Sequence, residues 1–195
     1  MATIGLDKLY YAPITADEES GKETYKTPVA LAPAITAELS VNLASAILYA
    51  DDKAEESVNE FASGELTLNT SDLPAAVVAA LTGAVVDQNG VLIQASEDSA
   101  NPVAIAFRAK KANGTYRYFW LYHVVFGPPS TTANTKADSI EFQTPTITGT
   151  ITARIKPDSQ GNHPWKAEVT EGDTGASTAI TSWYTQVYEP TYAAG

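Results

Sequence analysis

Asn113-Gly114 stands between two alternating runs of strand-forming residues, and no other feature narrows the fold as much. Asn-Gly tolerates the positive φ angles of a tight turn, so between two such runs it marks a β-hairpin. The runs are 103–111 and 115–126, the second reading Thr-Tyr-Arg-Tyr-Phe-Trp-Leu-Tyr-His-Val-Val-Phe. A two-residue turn sets Ala112 opposite Thr115 and Phe107 opposite Trp120. One face then joins Val103, Ile105, Phe107 and Ala109 to Val124, Tyr122, Trp120 and Tyr118, a core face of aromatic and β-branched pairs. The other face sets Lys110 against Arg117, a like-charge pair that needs solvent or a partner's acids to screen it.

Period-two alternation recurs elsewhere. In Thr146–Ile155 the isoleucines 147, 151 and 155 share one face, and Thr146, Thr148, Thr150, Thr152 and Arg154 the other. Ile140 and Phe142 have the opposite parity, so a bulge or bend is expected near Thr144-Pro145. Residues 38–43 put Leu39, Val41 and Leu43 inward and Glu38, Ser40 and Asn42 outward. Shorter strands are expected at 3–12, 45–50, 61–69, 90–95 and 165–170. One helix is expected at about 72–82, capped by Ser71 or Asp72, with Pro74 in its first turn and Gly83 closing it. Leu73, Val77 and Leu81 form its apolar stripe. Segments 15–28, 51–60 and 127–138 read as loops, and 156–163 and 171–178 as turns. The fold class is therefore mainly β, a β-sandwich or barrel with one short flanking α-helix. A single domain over 1–195 is expected, with 157–195 either completing it or forming a C-terminal extension or arm.

Charge and composition exclude several functions. The formal net charge is −11. Residues 1–70 hold 12 acids against Lys8, Lys22, Lys26 and Lys53, a net of −8; residues 71–195 hold 11 acids against 8 bases, a net of −3. Binding nucleic acid through its phosphates needs a basic face, and this balance offers none. With no cysteine there is no disulfide, thiol nucleophile or thiolate metal ligand. The N-terminus lacks the basic and long apolar regions of a secretory signal, and no apolar run approaches the ~20 residues needed to cross a bilayer.

Catalytic groups are sparse. His123 lies on the hairpin opposite Ala104, and His163 precedes Pro164 in an expected solvated turn; neither has a second histidine at metal-ligand spacing. The acidic pairs Asp51-Asp52 and Glu55-Glu56 fall in one polar segment, not across a cleft as glycosidase chemistry requires. Asp158–Asn162 and Glu171–Gly175 resemble calcium loops faintly but lack the full acidic ligand set, and read as turns. No catalytic residue, metal site or cofactor is expected, and the chain is read as not an enzyme.

Several segments together resemble the major tail protein family of siphophages infecting Gram-positive bacteria. They are Gly5–Ala12, the acidic stretch at Asp51-Asp52, Glu65–Leu68 leading into Asp72-Leu73-Pro74, Phe119–Phe126, and Glu141–Thr150, covering about 5–156. The resemblance implies a tail-tube-like fold and hexameric rings whose inner sheets join into a barrel around a lumen. The rings would stack into a tube through which genomic DNA passes without specific binding. It also implies tape measure and tail terminator or initiator proteins as partners, assembly in the host bacterial cytoplasm, and a final place in the virion tail. Asp51, Asp52, Glu55 and Glu56 are then candidates for the contact with the next ring or subunit. Glu38, Ser40 and Asn42 are lumen-facing candidates, with Thr148 and Thr150 as the alternative lining. The competing reading is a secreted or surface β-sandwich that binds a partner or carbohydrate through Trp120, Trp165 or Trp183.

Overall fold

A computed structural model of the chain describes residues 3–17, 22–50, 53–131 and 144–192; at 16, 17, 22, 46–50 and 53–58 it describes the backbone only. The fold is mainly β. In chain order the strands are β1 (Thr3–Asp17), β2 (Lys22–Tyr25), β3 (Val29–Ala30), β4 (Ala34–Ala50) and β5 (Lys53–Thr70), followed by helix α1 (Ala75–Thr82). Then come β6 (Val85–Val86), β7 (Leu92–Ile93), β8 (Pro102–Lys111), β9 (Tyr116–Phe126), β10 (Thr146–Ile151), β11 (Lys166–Thr170) and helix α2 (Ala176–Thr181). Nine strands form one sheet in the order β2-β1-β8-β9-β10-β5-β4, with β3 added to β1 and β11 to β9; β6 and β7 pair with each other alone. Every pairing is antiparallel.

The hairpin exists, but its register differs from the expected one. Phe107 faces Phe119 and Lys110 faces Tyr116. The loop has three residues, closed by hydrogen bonds from Lys111 N to Thr115 O and from Gly114 N to Lys111 O. Gly114 carries the positive φ, 88°, while Asn113 does not. Its side chain instead accepts from the N–H and hydroxyl of Thr115. This is the longer loop with a left-handed glycine, and it moves the pairs from Lys110–Tyr116 to Ile105–Leu121 by one residue, while Val103 still faces Val124 as expected. The expected Lys110–Arg117 pair is therefore not formed.

That shift exposes a second feature of β9. Between Val103–Val124 and Ile105–Leu121 the ladder skips, so that Tyr122 and His123 together oppose Ala104. The extra residue reverses the alternation, which lets Leu121 and Val124 both face the same core. With Ile105, Phe107, Phe126, Ile147, Ile151, Leu66 and Leu68 they form the main cluster, covered by Val77 and Leu81 of α1. Trp120, Tyr122 and Tyr118 point the other way, into a second cluster with Ala104, Ala106, Trp183 and Val187. Both faces of the hairpin are thus buried, where the sequence suggested one.

Helix α1 starts later than expected, at Ala75 after Pro74, with the Asp72 carboxylate holding Leu73 N–H at 2.8 Å and Gly83 closing the helix. Helix α2 was not foreseen; six residues are too few to show a stripe. Within segment 15–28, expected as a loop, residues 15–17 and 22–25 are strand: β1 continues to Asp17 and pairs with β2. Residues 53–60 are not a loop either, because β5 begins at Lys53 and its backbone pairs with β4 along the whole arm. Strand β10 stops at Ile151, leaving Ile155 56% exposed and off the core face. Ile140 and Phe142, whose parity motivated the bend expected near Thr144-Pro145, lie outside the described residues.

Candidate assembly surface

Three strands, β10, β5 and β4, build a polar face of the sheet. Alternation sends Ile147, Ile151, Leu66 and Leu68 into the core and their neighbours outward. The register then sets outward residues in rows across the sheet: Thr148, Thr67 and Glu38 in one, Thr150, Glu65 and Ser40 in the next. Asn42 follows beside Ser63 and donates to its Oγ at 3.4 Å. Two sets of expected lining residues, one from β4 and one from β10, therefore share a single face. Glu38, Ser40, Asn42, Thr148, Thr150 and Glu65 are all exposed.

The charge on this face has one sign. Glu38, Glu60 and Glu65 are its described ionisable side chains, and none of the salt bridges among described residues involves them. Glu65 stands opposite Ser40, two residues along from Glu38, so the two residues are diagonal neighbours with backbones about 7–8 Å apart. Like charges so placed repel, and the face tolerates them because water screens each one.

Beyond Gly64 the β4–β5 pair runs past β10, which ends at that level. Leu39 is half-buried against the core, but Val41 and Leu43, expected inward, are 41% and 61% exposed. The apolar alternation continues on the ribbon after the core beneath it has ended. Phe61, opposite Leu43, stacks flat on Trp165 at 4.3 Å where the ribbon leaves the sheet. The outer edge of β4, 17 residues long, has no strand partner among the described residues. Asp51 and Asp52 lie outside the described residues. Glu55 and Glu56 lie on β5, where the backbone alone is described.

The groups with chemical potential are used for structure. His123 Nδ1 is 2.9 Å from Thr152 Oγ1, and Nε2 is 3.6 Å from Glu23 Oε1. Glu23 is 2% exposed, and its Oε2 accepts from the backbone N–H groups of Ile155 and Lys156. Arg154, 1% exposed, donates from Nη1 to Glu189, whose other oxygen takes Lys156 Nζ, both at 2.9 Å. Burial opposes the charge of Arg154, but Glu189 outweighs it, and the guanidinium is held above its ordinary pKa. Burial likewise pushes the hydroxyls of Tyr25 and Tyr122 up. This network went unforeseen because its members come from β2, β9, the segment after β10 and the C-terminal tail. Glu23 and Glu189 border a groove of about 460 Å³, yet their oxygens already serve backbone amides and cations.

His163 is exposed, as expected of a solvated turn residue, with Nδ1 3.0 Å from Arg154 O. Asp158 accepts from the N–H groups of Gln160 and Asn162, as a turn residue does. No cluster of three metal-binding side chains occurs among the described residues. Trp120 and Trp183 are buried at 0% and 1% exposure, and Trp165 is covered by Phe61, so none of the three is a stacking platform.

The chain matches no known family model, and no curated protein sequence matches it. Among solved structures it is similar to a chain of the anti-feeding prophage tube-terminating cap, at 11% identity and a TM-score of 0.48, covering 88% of this chain and 93% of that one. A chain of the anti-feeding prophage baseplate matches at 8% identity and a TM-score of 0.35, over 87% and 97%. Both likenesses are too distant to bear on function.

Proposed function

We propose that this chain is a structural subunit of a phage tail tube, polymerising as stacked, hexameric rings through which DNA passes. The observation that carries the reading is the β10-β5-β4 face: broad, exposed, polar, and acidic without a compensating base among its described side chains. A channel for DNA must not hold phosphates, and a wall of carboxylates and hydroxyls repels them while keeping water at the surface. Glu38, Ser40, Asn42, Thr148 and Thr150, joined by Glu65 and Thr67, would line the lumen. The edge of β4, which has no strand partner among the described residues, supports the same reading, because such a row of N–H and C=O groups is a template for a neighbouring strand. Glu55 and Glu56 on β5, with Asp51 and Asp52 just before them in sequence, would meet the next ring. The sequence resemblance to major tail proteins adds the tape measure and terminator or initiator proteins as partners and the virion tail as location.

Negative-stain microscopy of the purified chain, concentrated stepwise, tests the proposal. Rings or tubes of uniform diameter are expected. A species that stays monomeric at every concentration, with and without a tail initiator, overturns it.

A further inference from the structure

Asn113-Gly114 is matched by a second Asn-Gly pair, Asn89-Gly90, and each lies in the loop of a hairpin, β8–β9 and β6–β7. In an Asn-Gly pair the next backbone nitrogen reaches the asparagine amide with least obstruction, because glycine has no side chain. The two loops share a backbone. Gly114 and Gly90 have φ angles of 88° and 79°, and nothing lies within 4 Å of where a Cβ would stand. Each N–H is held by the carbonyl three residues back, Lys111 O at 3.0 Å and Asp87 O at 3.1 Å. All four Asn and Gly residues are exposed. In either loop the N–H must leave its carbonyl before it attacks, so this opening is common to both and cancels in a comparison.

The side chains differ. Asn113 Oδ1 accepts twice from Thr115, from its N–H at 3.2 Å and its Oγ1 at 2.8 Å. Asn89 is held by its other end: Nδ2 donates to Asp87 Oδ2 at 3.2 Å. Asp87 Oδ1 takes the backbone N–H groups of Asn89 and Val91, both at 2.8 Å. Negative charge gathers on the amide oxygen when the carbon becomes tetrahedral, and donors already placed on that oxygen stabilise the state. Thr115 supplies two, and its hydroxyl turns about its own bond to follow the oxygen. Beside Asn89 stands a carboxylate, which opposes the same charge.

We infer that Asn113 is a self-modification site whose reaction the Thr115 donors promote, and that Asn89 is its slow counterpart. Gly114 N attacks Asn113 Cγ, the Cγ–Nδ2 bond breaks, and ammonia leaves with the proton given up by Gly114 N. Water then opens the five-membered imide at either carbonyl. One opening gives aspartate at position 113; the other gives isoaspartate, in which the side-chain carbon has entered the backbone. One water is consumed, one ammonia is released, and nothing is oxidised or reduced. The loop gains a carboxylate and, in the isoaspartate form, one backbone carbon in the connection whose length sets the β8–β9 register. The modified fraction grows with time and so records the age of the chain. None of this depends on the assembly proposed above.

Trypsin cuts after Lys111 and Arg117, which puts the two asparagines on different peptides. The full chain is aged in mildly alkaline buffer, folded and in guanidinium chloride. The amide-to-acid mass change is followed at each site, and isoaspartate is scored by its separate elution. Dividing the folded rate by the unfolded rate removes the effect of local sequence. The quotient at Asn113 is expected to exceed that at Asn89 several-fold. Thr115→Val, which deletes the hydroxyl and keeps the N–H, lowers the Asn113 quotient several-fold and leaves Asn89 unchanged, whereas Thr115→Ser keeps the wild-type value. Equal quotients at the two sites overturn the inference. A Thr115→Val chain that reacts as fast as wild type, or faster, also overturns it, because the threonine would then be a clamp that protects the amide. If Thr115→Val does not fold, the wild-type quotients and Thr115→Ser decide the matter alone.

Discussion

Arg154 is the residue where burial and charge meet most sharply. Its Nη1 is satisfied by Glu189, but Nε and Nη2 have no hydrogen-bond partner, and the guanidinium lies over the Tyr122 ring at 4.9 Å. Truncation to alanine leaves a cavity beneath Tyr122 and Tyr25 and releases Glu189, so Arg154→Ala is expected to cost about 3–5 kcal/mol. Arg154→Met fills most of the space without an uncompensated cation and is expected to cost much less. Urea unfolding midpoints of the two variants check the order, and equal losses would contradict it. Asp7 offers a pH-dependent case. Its hydrogen bonds with Arg108, at 2.6 and 2.8 Å, hold its carboxyl below the usual carboxylate range. A depressed folded value contributes stability above the unfolded value of about 4, and that contribution disappears as pH falls through the folded value. The pair is partly exposed, so Asp7→Asn is expected to cost at most about 1 kcal/mol at pH 7. In acid the variant and wild type should converge, as denaturant titrations at neutral and low pH would show.

Among the elements, β10 lies close on β9 because of Gly149. A Cβ there would stand 2.8 Å from Phe126 Cδ1 and from Val124 Cγ1. Gly149→Ala is therefore expected to destabilise by about 1–3 kcal/mol through overpacking, measurable as a lowered Tm with an unchanged far-UV spectrum. What the sequence reveals at this scale, and what it conceals, has physical causes. The β8–β9 hairpin is legible because Asn113-Gly114 announces a turn, yet the same dipeptide serves loops of two and three residues. That single residue decides whether Phe107 meets Trp120 or Phe119, and hence which aromatics share a core. The polar positions of β4 and β10 are legible from alternation. Their union on one face depends on strand order, which is set by pairings of long sequence separation. The C-terminal cover was illegible for a related reason: Trp183 and Val187 find their partners about 65 residues upstream, on Tyr118, Trp120 and Tyr122, which the expected register set on the same face as Ile105 and Phe107. Val41 and Leu43 show the converse, since alternation marks a face but not where the core beneath it stops.

For the whole molecule, the distribution of charge matters more than its sum. The net charge of −11 would keep any protein soluble, but Glu38 and Glu65 place part of it on one sheet face near hydroxyl side chains. Both side chains are exposed and outside the described hydrogen bonds, so replacing them leaves the core and the strand ladder unchanged. Glu38→Lys with Glu65→Lys moves the charge of each subunit by four units, and a ring multiplies the change by its number of copies. If the face lines a channel, the variant should still form tubes, because the outer edge of β4 and the ends of the sheet are untouched. Its lumen, however, would attract phosphates, and each neutralised contact would add to a salt-sensitive affinity for DNA. Short duplex DNA should then co-sediment with variant tubes at low salt, be released as salt rises, and fail to sediment with wild-type tubes. Tubes of the variant that ignore DNA at every salt concentration would place this face on the outside or between subunits, and the lining would have to be sought on another surface.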